Sequence, residues 1–467
     1  MLDAVGAAPT QVTPDGRLHR LGLTPDEIVA RLDPTADAFG LTNMWSFSWP
    51  IVREIIHKLK ERFPGKPLVC GGEHFTGLAE HSLQTAPIDY IVLGEGEDCA
   101  VALFSALEQK DAVDAIAGIA FMRDGVVVRT APPVRKRDID ELPWPAWDLV
   151  DMGAYNDNNL VNGVKWGTMV PILATRGCPY QCTFCASPNM WTTRYYMRNP
   201  LDVANEIEHY NKVYGATNFP FQDLTALVKR GWIIEFCSAL IDKKLDITWQ
   251  FPSGTRCEVI DDDVARLLRL TGGRSLAYAP ESGSERTREL IQKRMKTESL
   301  LNAVRASVRN KLNITCFFVL GFPQDEASDL RATRALVRKL AWLGIDDIAI
   351  GFFFPIPNTQ LHRELLENGR IRNNNEDAFL LTPILANEMK LTEDHNYCEK
   401  MSARELTWWK YRLLLNFYGI SFGLRPWRIA KVVVNALRGK ETRKLETYLV
   451  ELRRKLRIGF GRRKQTA

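Results

Sequence analysis

Short apolar segments alternate with segments of helical periodicity along most of the chain, and this alternation limits the fold more than any other feature. Between Asp37 and Leu107 the apolar runs DAFGLT, PLVCGG and DYIVLGEGE are each followed by a helix-like stretch. Because parallel strands need long crossover connections, this order predicts a parallel, doubly wound α/β sheet. Glycines stand at the strand ends, where open sheets bind ligands, although tight turns would also explain them: Gly71, Gly72, Gly94 and Gly96.

A second alternation of longer period runs from Gly167 to about residue 360. Its apolar runs are MVPILAT, ATNFPF, ITWQF, RSLAYA, ITCFFVLGF and DDIAIGFFF. Six strand–helix repeats predict an α/β barrel, complete or partial. The preceding stretch has an Asp124-Gly125 turn signal and the proline-bearing ELPWPAWDL, which is typical of a linker. The predicted domains are an N-terminal sheet domain (1–110), a linker (111–165), a barrel (166–390) and a helical region (391–467).

The composition is that of an intracellular protein with several domains. The chain has 467 residues, 45% of them hydrophobic, enough for about two to four domain cores. No apolar run reaches about eighteen residues and the N-terminus lacks the order of a signal peptide, so we expect a cytoplasmic protein. Nine cysteines in a reducing compartment argue against a disulfide framework and for metal binding, catalysis or ordinary burial.

Basic charge is concentrated at the C-terminus. From Arg425 to Ala467 there are fourteen basic and three acidic residues, a net charge of +11, which leaves −6 for the rest of a chain whose total is +5. Apolar residues of this tail share one face of predicted helices. Three interpretations stay open: a lid with a surface that contacts an anionic membrane, attraction to phosphate-bearing substrates or nucleic acid, and a solvated helical pair. No nucleic-acid module accompanies the charge, so we expect no specific nucleic-acid partner.

Three cysteines stand close together directly after the first barrel strand. The segment ATRGCPYQCTFCASP places Cys178, Cys182 and Cys185 in CxxxCxxC spacing. Three thiolates this close can bind one soft metal centre. Zinc would require a fourth protein ligand, and no CxxC or HxxxH partner lies nearby in the sequence. A four-iron cluster with three ligands would keep one iron open. The other six cysteines are isolated, and we expect ordinary burial for each.

This loop resembles the hallmark of the radical S-adenosylmethionine (SAM) superfamily, CxxxCxΦC, with Phe184 as the aromatic residue before the last cysteine. The resemblance implies a [4Fe-4S] cluster on Cys178, Cys182 and Cys185, SAM chelated to its unique iron, and Phe184 in the cofactor site. In this family one electron delivered to the cluster cleaves SAM into methionine and a 5′-deoxyadenosyl radical, which takes hydrogen from an unactivated carbon. A barrel suits this chemistry because it holds the reacting atoms away from water.

Two further strand ends are similar to SAM-binding segments of the same family. FPFQDLT implies that Asp223 approaches the SAM amino group, since the usual Asp-Asp pair reads Gln222-Asp223 here. YAPESGSE implies contacts of Glu281 and Ser282 with the ribose or carboxylate of SAM, and close backbone approach at Gly283. A helix N-cap at Ser282 or Ser284 is a local alternative, compatible with SAM binding.

The site roles of two further segments and of Arg256 stay open. LGFPQDE resembles the family's GFPGET loop, with Gln324-Asp325 in place of Gly-Glu. FPIPNTQLHREL resembles a PxPGT segment, with Asn358 in place of glycine. Arg256, after the third strand, reaches the SAM carboxylate in one interpretation and forms a surface salt bridge in the other.

Residues 37–107 resemble the cobalamin (B12)-binding domain that often precedes a radical SAM barrel, on GLTNMWSFSW, GGEH and GEGE after successive strands. This implies bound cobalamin beside small and polar strand-end residues: Ser46, Gly71, Gly72 and Gly94. The family's first strand and its DxHxxG loop would precede residues 2–4, so we expect an incomplete Rossmann-like domain or a sequence that starts late. No histidine has a DxHxxG context, and His74 is expected to form hydrogen bonds instead of binding cobalt.

Together the resemblances imply a cobalamin-dependent radical SAM enzyme, most often a methyltransferase that consumes two SAM per turnover. A cyclase or oxidase of the porphyrin-cyclase type and a non-enzymatic cobalamin or iron–sulfur sensor are the alternatives. Methylthiotransferases are disfavoured because their additional upstream cysteine triad is not visible. We expect a small-molecule or lipid-like substrate and an external one-electron reductant of the flavodoxin or ferredoxin type. No side chain is assigned as a catalytic residue.

Overall fold

The computed structural model describes residues 1–15, 18–371 and 390–438, together with 442, 445, 446 and 449. The chain divides into two compact units, each built from several stretches of sequence. The first comprises Met1–Leu160, Arg176–Met197 and Phe354–Leu385, and the second comprises Val161–Thr175, Arg198–Phe353 and Ala386–Ala467. Predictions for residues 372–389 and for most of 439–467 lie outside the described residues.

The first unit contains a short antiparallel pair and a five-stranded sheet. The strands of the pair are β1 (Val12–Asp15) and β2 (Leu18–Leu21). The sheet consists, in spatial order, of β3 (Phe39–Thr42), β4 (Leu68–Gly71), β5 (Tyr90–Val92), β6 (Ile119–Arg123) and β7 (Val126–Arg129). The first three strands are parallel, as the alternating pattern predicts. Among the described strands β3 pairs with β4 alone and forms one edge of the sheet.

The hairpin β6–β7 turns at Asp124-Gly125, the dipeptide whose sequence predicts a turn. Asp124 and Gly125 have φ angles of +51° and +76°, the left-handed conformations that a two-residue hairpin turn requires. β6 also pairs antiparallel with β5, so the hairpin extends the sheet. The sequence predicts the hairpin but not this pairing, because a strand that follows a helix can join a sheet in either direction.

Helices cover both faces of this sheet. Leu68 and Cys70 of β4 pack in one buried cluster with Trp49, whereas Val69 packs in another with Leu103, because successive side chains of a strand point to opposite faces. The helices of this unit are α1 (Pro25–Ala30), α2 (Trp49–Arg62), α3 (Glu73–Gly77), α4 (Ala79–Thr85), α5 (Glu97–Gln109), α6 (Met152–Asp157), α7 (Ser187–Trp191) and α14 (Gln360–Glu367). The two-residue strands β8 (Thr175–Arg176) and β9 (Tyr196–Met197) flank the cysteine loop.

The second unit is built on a parallel sheet in which sequence order equals spatial order. Its strands are β10 (Asn218–Pro220), β11 (Thr248–Thr255), β12 (Gly273–Glu281), β13 (Asn313–Leu320) and β14 (Asp347–Phe352). A sixth extended segment lies parallel beside β10 through the bridges Met169–Asn218 and Ile172–Phe221. All six apolar runs that predict the barrel therefore lie in extended segments of one parallel array.

Helices of the second unit pack on one face of this array. In β13 fully buried side chains alternate with half-buried ones, as expected for strands with one face on helices and a more accessible opposite face. The helices between the strands are α8 (Pro200–Tyr214), α9 (Arg230–Lys243), α10 (Asp262–Leu270), α11 (Glu285–Leu290), α12 (Thr297–Arg309) and α13 (Ala327–Leu343).

Two C-terminal helices belong to the same unit, α15 (Ala403–Leu424) and α16 (Trp427–Leu437). α15 packs along α13, and the Tyr418 hydroxyl donates to Asp347 of β14 at 2.7 Å. Arg428 of α16 is buried and donates to the carbonyls of Gly344 (2.8 Å) and Ile345 (2.7 Å), just after α13 ends. No helix within the described ranges is both long enough and apolar enough to cross a bilayer.

Candidate cofactor-binding site

The cysteine loop contains a tight turn between its second and third cysteines. The Cys185 amide donates to the Cys182 carbonyl at 3.1 Å, and the Cys185 thiol donates to the Ser187 hydroxyl at 3.2 Å. Gly177 precedes the first cysteine with a φ of +87°, and a side chain there would stand 2.2 Å from the carbonyl oxygen of Arg194. Glycine at this position therefore lets the two ends of the loop approach each other closely.

The loop cysteines are more accessible than most of the others. Cys178, Cys182 and Cys185 are half-buried, as is the neighbouring Phe184, and none of the nine cysteines forms a disulfide. Cys99 is half-buried too, and the remaining five are buried as predicted: Cys70, Cys237, Cys257, Cys316 and Cys398. Burial raises the pKa of Cys237 to about 11 and, with the nearby Glu258 carboxylate, that of Cys257 to about 12, which keeps both as thiols.

The residues of the loop fit a [4Fe-4S] cluster. Three half-buried thiols on one loop are the soft sulfur ligands that iron–sulfur clusters take. Among the described residues no three His, Cys, Asp or Glu side chains are grouped so that they could hold a metal ion. The ligands of a [4Fe-4S] cluster need not be grouped in this way. Each thiolate binds a separate iron, and the three sulfurs surround a volume larger than one ion.

Asp223 is fully buried just beyond β10. Its two carboxylate oxygens accept from the Ala174 amide at 3.1 and 3.2 Å, and the carboxylate also accepts from the Thr175 hydroxyl. Burial raises the pKa of this carboxyl to about 6, although the hydrogen bonds lower it. The carboxylate thus joins the end of β10 to the segment that leads into the cysteine loop. Its contact with the SAM amino group stays a prediction.

Glu281 ends β12 in an unusual backbone conformation. Its φ is +61°, in the left-handed region that non-glycine residues rarely adopt. The side chain is nearly buried, and its carboxylate forms an ion pair with Lys293 at 3.0 Å. Such a conformation costs free energy and is frequent at ligand-binding sites, so it supports the predicted site role of Glu281.

The two residues after Glu281 are packed against α13. The Gly283 amide donates to the Thr333 hydroxyl at 3.0 Å, and the Ser282 hydroxyl lies 3.2 Å from that of Thr333. A side chain on Gly283 would stand 2.4 Å from the Thr333 α-carbon, so glycine is required here for helix packing whatever its role toward SAM. Ser284, and not Ser282, is the N-cap of α11, because it accepts from the Thr287 amide.

Thr333 is a residue of this site that sequence reasoning did not find. It is buried, and its hydroxyl lies between two predicted SAM-site residues. The local sequence of α13 offers no signal for it, since the contact spans fifty residues of chain.

Two segments differ from the family pattern, and in each the structure shows a local role for a residue that departs from it. Asn358 has a φ of +60° where the family has glycine, and asparagine is among the residues that best tolerate this conformation. Asp325 is buried and accepts from the amides of Gly321 and Phe322, both at 3.1 Å, which fixes the loop after β13. Burial raises the pKa of Asp325 to about 6.

Arg256 comes directly after β11, and its guanidinium binds a carboxylate and a backbone carbonyl of the same chain. It is buried and pairs with the Glu258 carboxylate and with the carbonyl of Arg294. This agrees with the salt-bridge alternative, in which a buried Arg256 guanidinium meets the exposed Glu258 at the surface.

The predicted cobalamin residues lie at the carboxyl ends of β3, β4 and β5. Gly71 ends β4, and Gly72 has a φ of +106° with its α-carbon so near Asn43 that a side chain would stand 2.6 Å from that residue's carbonyl oxygen. Gly94 follows β5 with a φ of +70°, and its amide donates to the Thr76 hydroxyl at 2.9 Å. Gly72 and Gly94 thus have conformational reasons to be there, and the contact of these residues with cobalamin stays a prediction.

His74 is a buried hydrogen-bonding residue, as expected. Its Nδ1 lies 3.0 Å from the Ser46 hydroxyl and its Nε2 lies 3.4 Å from that of Ser82. The ring also stacks on Trp49 with 4.7 Å between centroids. Burial, with a smaller contribution from His81, lowers the pKa of His74 to about 3, so the imidazole is neutral.

Comparison with known families matches both domains. Residues 172–337 match the radical SAM superfamily, and residues 15–104 match the B12-binding domain. The chain therefore contains a radical SAM domain and a B12-binding domain. The family implies SAM and a [4Fe-4S] cluster, and the second domain implies cobalamin, as the sequence analysis expected.

Two relatives are similar to this chain over most of its length. An uncharacterized methyltransferase of Pyrococcus horikoshii is 27% identical over 86% of this chain and 81% of its own length. An anaerobic magnesium-protoporphyrin IX monomethyl ester cyclase of Synechocystis is 31% identical over 68% of this chain, which spans only 62% of the cyclase.

One solved structure supports the fold. The radical SAM methyltransferase TsrM from Kitasatospora setae, which has cobalamin and a [4Fe-4S] cluster bound, superposes with a TM-score of 0.59 at 18% identity. The match covers 74% of this chain and 66% of TsrM.

Proposed function

We propose that this protein is a cobalamin-dependent radical SAM methyltransferase that acts on an unactivated carbon. One observation carries the proposal: a half-buried CxxxCxxC loop within a radical SAM domain is joined in the same chain to a B12-binding domain. When bound, the cluster and SAM supply radical chemistry and cobalamin supplies a methyl group. The protein residues then have to bind, orient and shield these groups.

The proposed tasks of the barrel residues follow from their positions. Cys178, Cys182 and Cys185 would hold the [4Fe-4S] cluster and would leave one iron open for SAM. Asp223 comes just after β10 and Glu281 ends β12 of one parallel sheet, so both belong to its carboxyl edge, where barrels bind ligands. The strained backbone of Glu281 holds its carboxylate ready to accept hydrogen bonds from the ribose hydroxyls of SAM.

A second candidate function is ring closure or oxidation without methyl transfer. It is favoured by the 31% identity to the Synechocystis cyclase. The two functions would differ in the fate of SAM, because methyl transfer would release both S-adenosylhomocysteine and 5′-deoxyadenosine, whereas the second function would release 5′-deoxyadenosine alone.

The proposed substrate is a small or lipid-like molecule, and the proposed electron donor is an external flavodoxin or ferredoxin. The accessible face of β13 carries Phe317 and Val319, both half-buried, which suits an apolar substrate. We also propose a cytoplasmic location, in agreement with thiols that form no disulfide.

The test of this function uses SAM with a deuterated methyl group. The protein is reconstituted anaerobically with iron, sulfide and cobalamin, reduced with dithionite and incubated with an extract of lipids and metabolites. We expect 5′-deoxyadenosine and S-adenosylhomocysteine in equal amounts, together with a deuterated methyl group in an extract component. 5′-Deoxyadenosine without S-adenosylhomocysteine would favour the cyclase or oxidase. Absence of both nucleosides, with the cluster present, would favour the sensor.

We further propose that α16 brings the enzyme to an anionic membrane surface. Trp427, Ile429, Val433 and Leu437 of this helix are between 48% and 65% exposed, while Arg428 and Val432 anchor it. The basic composition of residues 425–467 adds attraction to anionic lipids. The protein is expected to float with vesicles that contain phosphatidylglycerol and not with pure phosphatidylcholine, and V433E should reduce flotation. Equal flotation of V433E would contradict this role of α16.

A further inference from the structure

A buried network of two arginines and a glutamate connects the cysteine loop to the end of β5. Glu95 lies three residues beyond β5, and its side chain is only 4% exposed. Its carboxylate pairs with Arg135 (3.1 Å) and with Arg176 (3.2 Å). All three residues, together with the loop from Arg176 to Met197, belong to the first compact unit.

Both arginines reach the cysteine loop. Arg176 is part of it, two residues before Cys178. Arg135 comes from a distant part of the sequence and donates to the carbonyls of Arg194 (2.7 Å) and Trp191. Its guanidinium also lies over the rings of Trp191 and Tyr196, 5.4 and 4.9 Å from their centroids. Glu95 is therefore linked to the beginning of the loop through one arginine and to its end through the other.

The chemistry of this network requires these residue types. An arginine has five donors in a planar fork, so Arg135 can bind both oxygens of a carboxylate and two carbonyls at once, four contacts that the three donors of a lysine cannot make. A buried carboxylate needs compensating charge, and here two cations share it while the more exposed Glu97 binds the far side of Arg176 at 2.6 Å. Two cations and two anions leave the network neutral overall.

We propose that Glu95 is a positioning residue for the cysteine loop: through Arg135 and Arg176 it holds the loop on the strand end of the B12-binding domain. The functional consequence rests on the proposed function: Glu95 keeps the cluster ligands at a constant place relative to that domain. Loss of the carboxylate leaves the buried Arg135 guanidinium without its acidic partner and leaves Arg176 paired with Glu97 alone, so the loop is released while the sheet itself is unchanged.

The experiment compares Glu95→Gln with the wild-type chain by hydrogen exchange and by cluster loss to a chelator. In the variant we expect peptides covering residues 176–197 to exchange roughly 100-fold faster, as for removal of one partner of a buried ion pair, with little change in β3 and β4. Iron release to EDTA from the reconstituted protein is expected to be at least about tenfold faster. The control is Asp114→Asn, which breaks the exposed Arg123–Asp114 pair (2.8 Å) of the same unit.

Unchanged exchange in residues 176–197, or faster exchange of the whole unit to the same extent, would overturn the proposal. If Glu95→Gln fails to fold, Arg176→Gln keeps the buried Glu95–Arg135 pair and should release the beginning of the loop alone. Exchange is measured on the cluster-free chain as well. If no cluster forms in the wild-type protein, the proposed function fails, but hydrogen exchange of the cluster-free chain still tests the positioning role of Glu95.

Discussion

Replacing Asp223 with alanine is expected to destabilise the barrel unit strongly. The carboxylate accepts from the Ala174 amide and the Thr175 hydroxyl, and both residues are buried. A buried donor without a partner costs about 1–3 kcal/mol, so two donors cost roughly 4 kcal/mol. At about 2–4 °C per kcal/mol for a unit of this size, the midpoint of thermal unfolding should fall by about 10 °C.

Asp223→Asn separates the effect of charge from that of hydrogen bonding. The pKa of this carboxyl is about 6 in the folded chain and about 3.9 in an unfolded one, so the folded state binds the proton more tightly. The stability that results is complete below about pH 4 and is lost as the pH rises through 6, by about 3 kcal/mol. The asparagine variant has no such loss, so its midpoint relative to wild type should rise from pH 4.5 to pH 7.

Scanning calorimetry of the cluster-free protein at both pH values measures these shifts, with Asp242→Asn as the control because Asp242 is exposed. An unchanged midpoint in Asp223→Ala, with weakened SAM binding by the reconstituted protein, would show that Asp223 acts on the cofactor and not on the loop. The same pH dependence in Asp223→Asn and wild type would refute the effect of burial on its pKa.

Three further predictions concern backbone conformation and a buried histidine. Gly283→Ala places a methyl group 2.4 Å from the Thr333 α-carbon and should lower the midpoint of thermal unfolding by several degrees. The control Gly231→Ala meets no atom within 4 Å and should leave the midpoint unchanged. Equal midpoints of the two variants by calorimetry would contradict the packing argument. Asn358→Gly should be tolerated and Asn358→Val should cost about 1–2 kcal/mol in thermal melts followed by circular dichroism, because φ is +60°. Burial lowers the pKa of His74 to about 3, so the neutral imidazole stabilises the fold fully above about pH 6.5 and this stability is lost as the pH falls. The stability of His74→Gln, measured by urea unfolding, should therefore be less sensitive to acid than that of the wild type.

Much of the fold could be predicted from the sequence because local periodicity determines which segments form strands and helices. The six apolar runs of the barrel are all extended segments of one parallel array. The Asp124-Gly125 dipeptide predicts its hairpin because only residues that tolerate positive φ can form the turn. The antiparallel pairing of β6 with β5 could not be predicted, since the direction in which a strand joins a sheet leaves no mark in the strand itself.

The site was predictable where its residues are close in sequence and not where they are distant. Cys178, Cys182 and Cys185 form a spacing motif and lie on one loop. Contacts such as Gly283 with Thr333, or Glu95 with Arg135, join residues forty or more positions apart and depend on how the chain packs. Asn358 is a third case, because it stands where the family has glycine and has a φ of +60°, which both residue types tolerate.

The central claim is that the cysteine loop binds a cluster that cleaves SAM. The most direct measurement is the yield of 5′-deoxyadenosine from SAM with anaerobically reconstituted, dithionite-reduced protein, together with the brown absorbance of the cluster. Cys178→Ala, Cys182→Ala and Cys185→Ala should each lose both signals, whereas Cys237→Ala, a buried thiol in α9, should keep them. A full-strength cluster and undiminished SAM cleavage in any of the three loop variants would contradict the assignment.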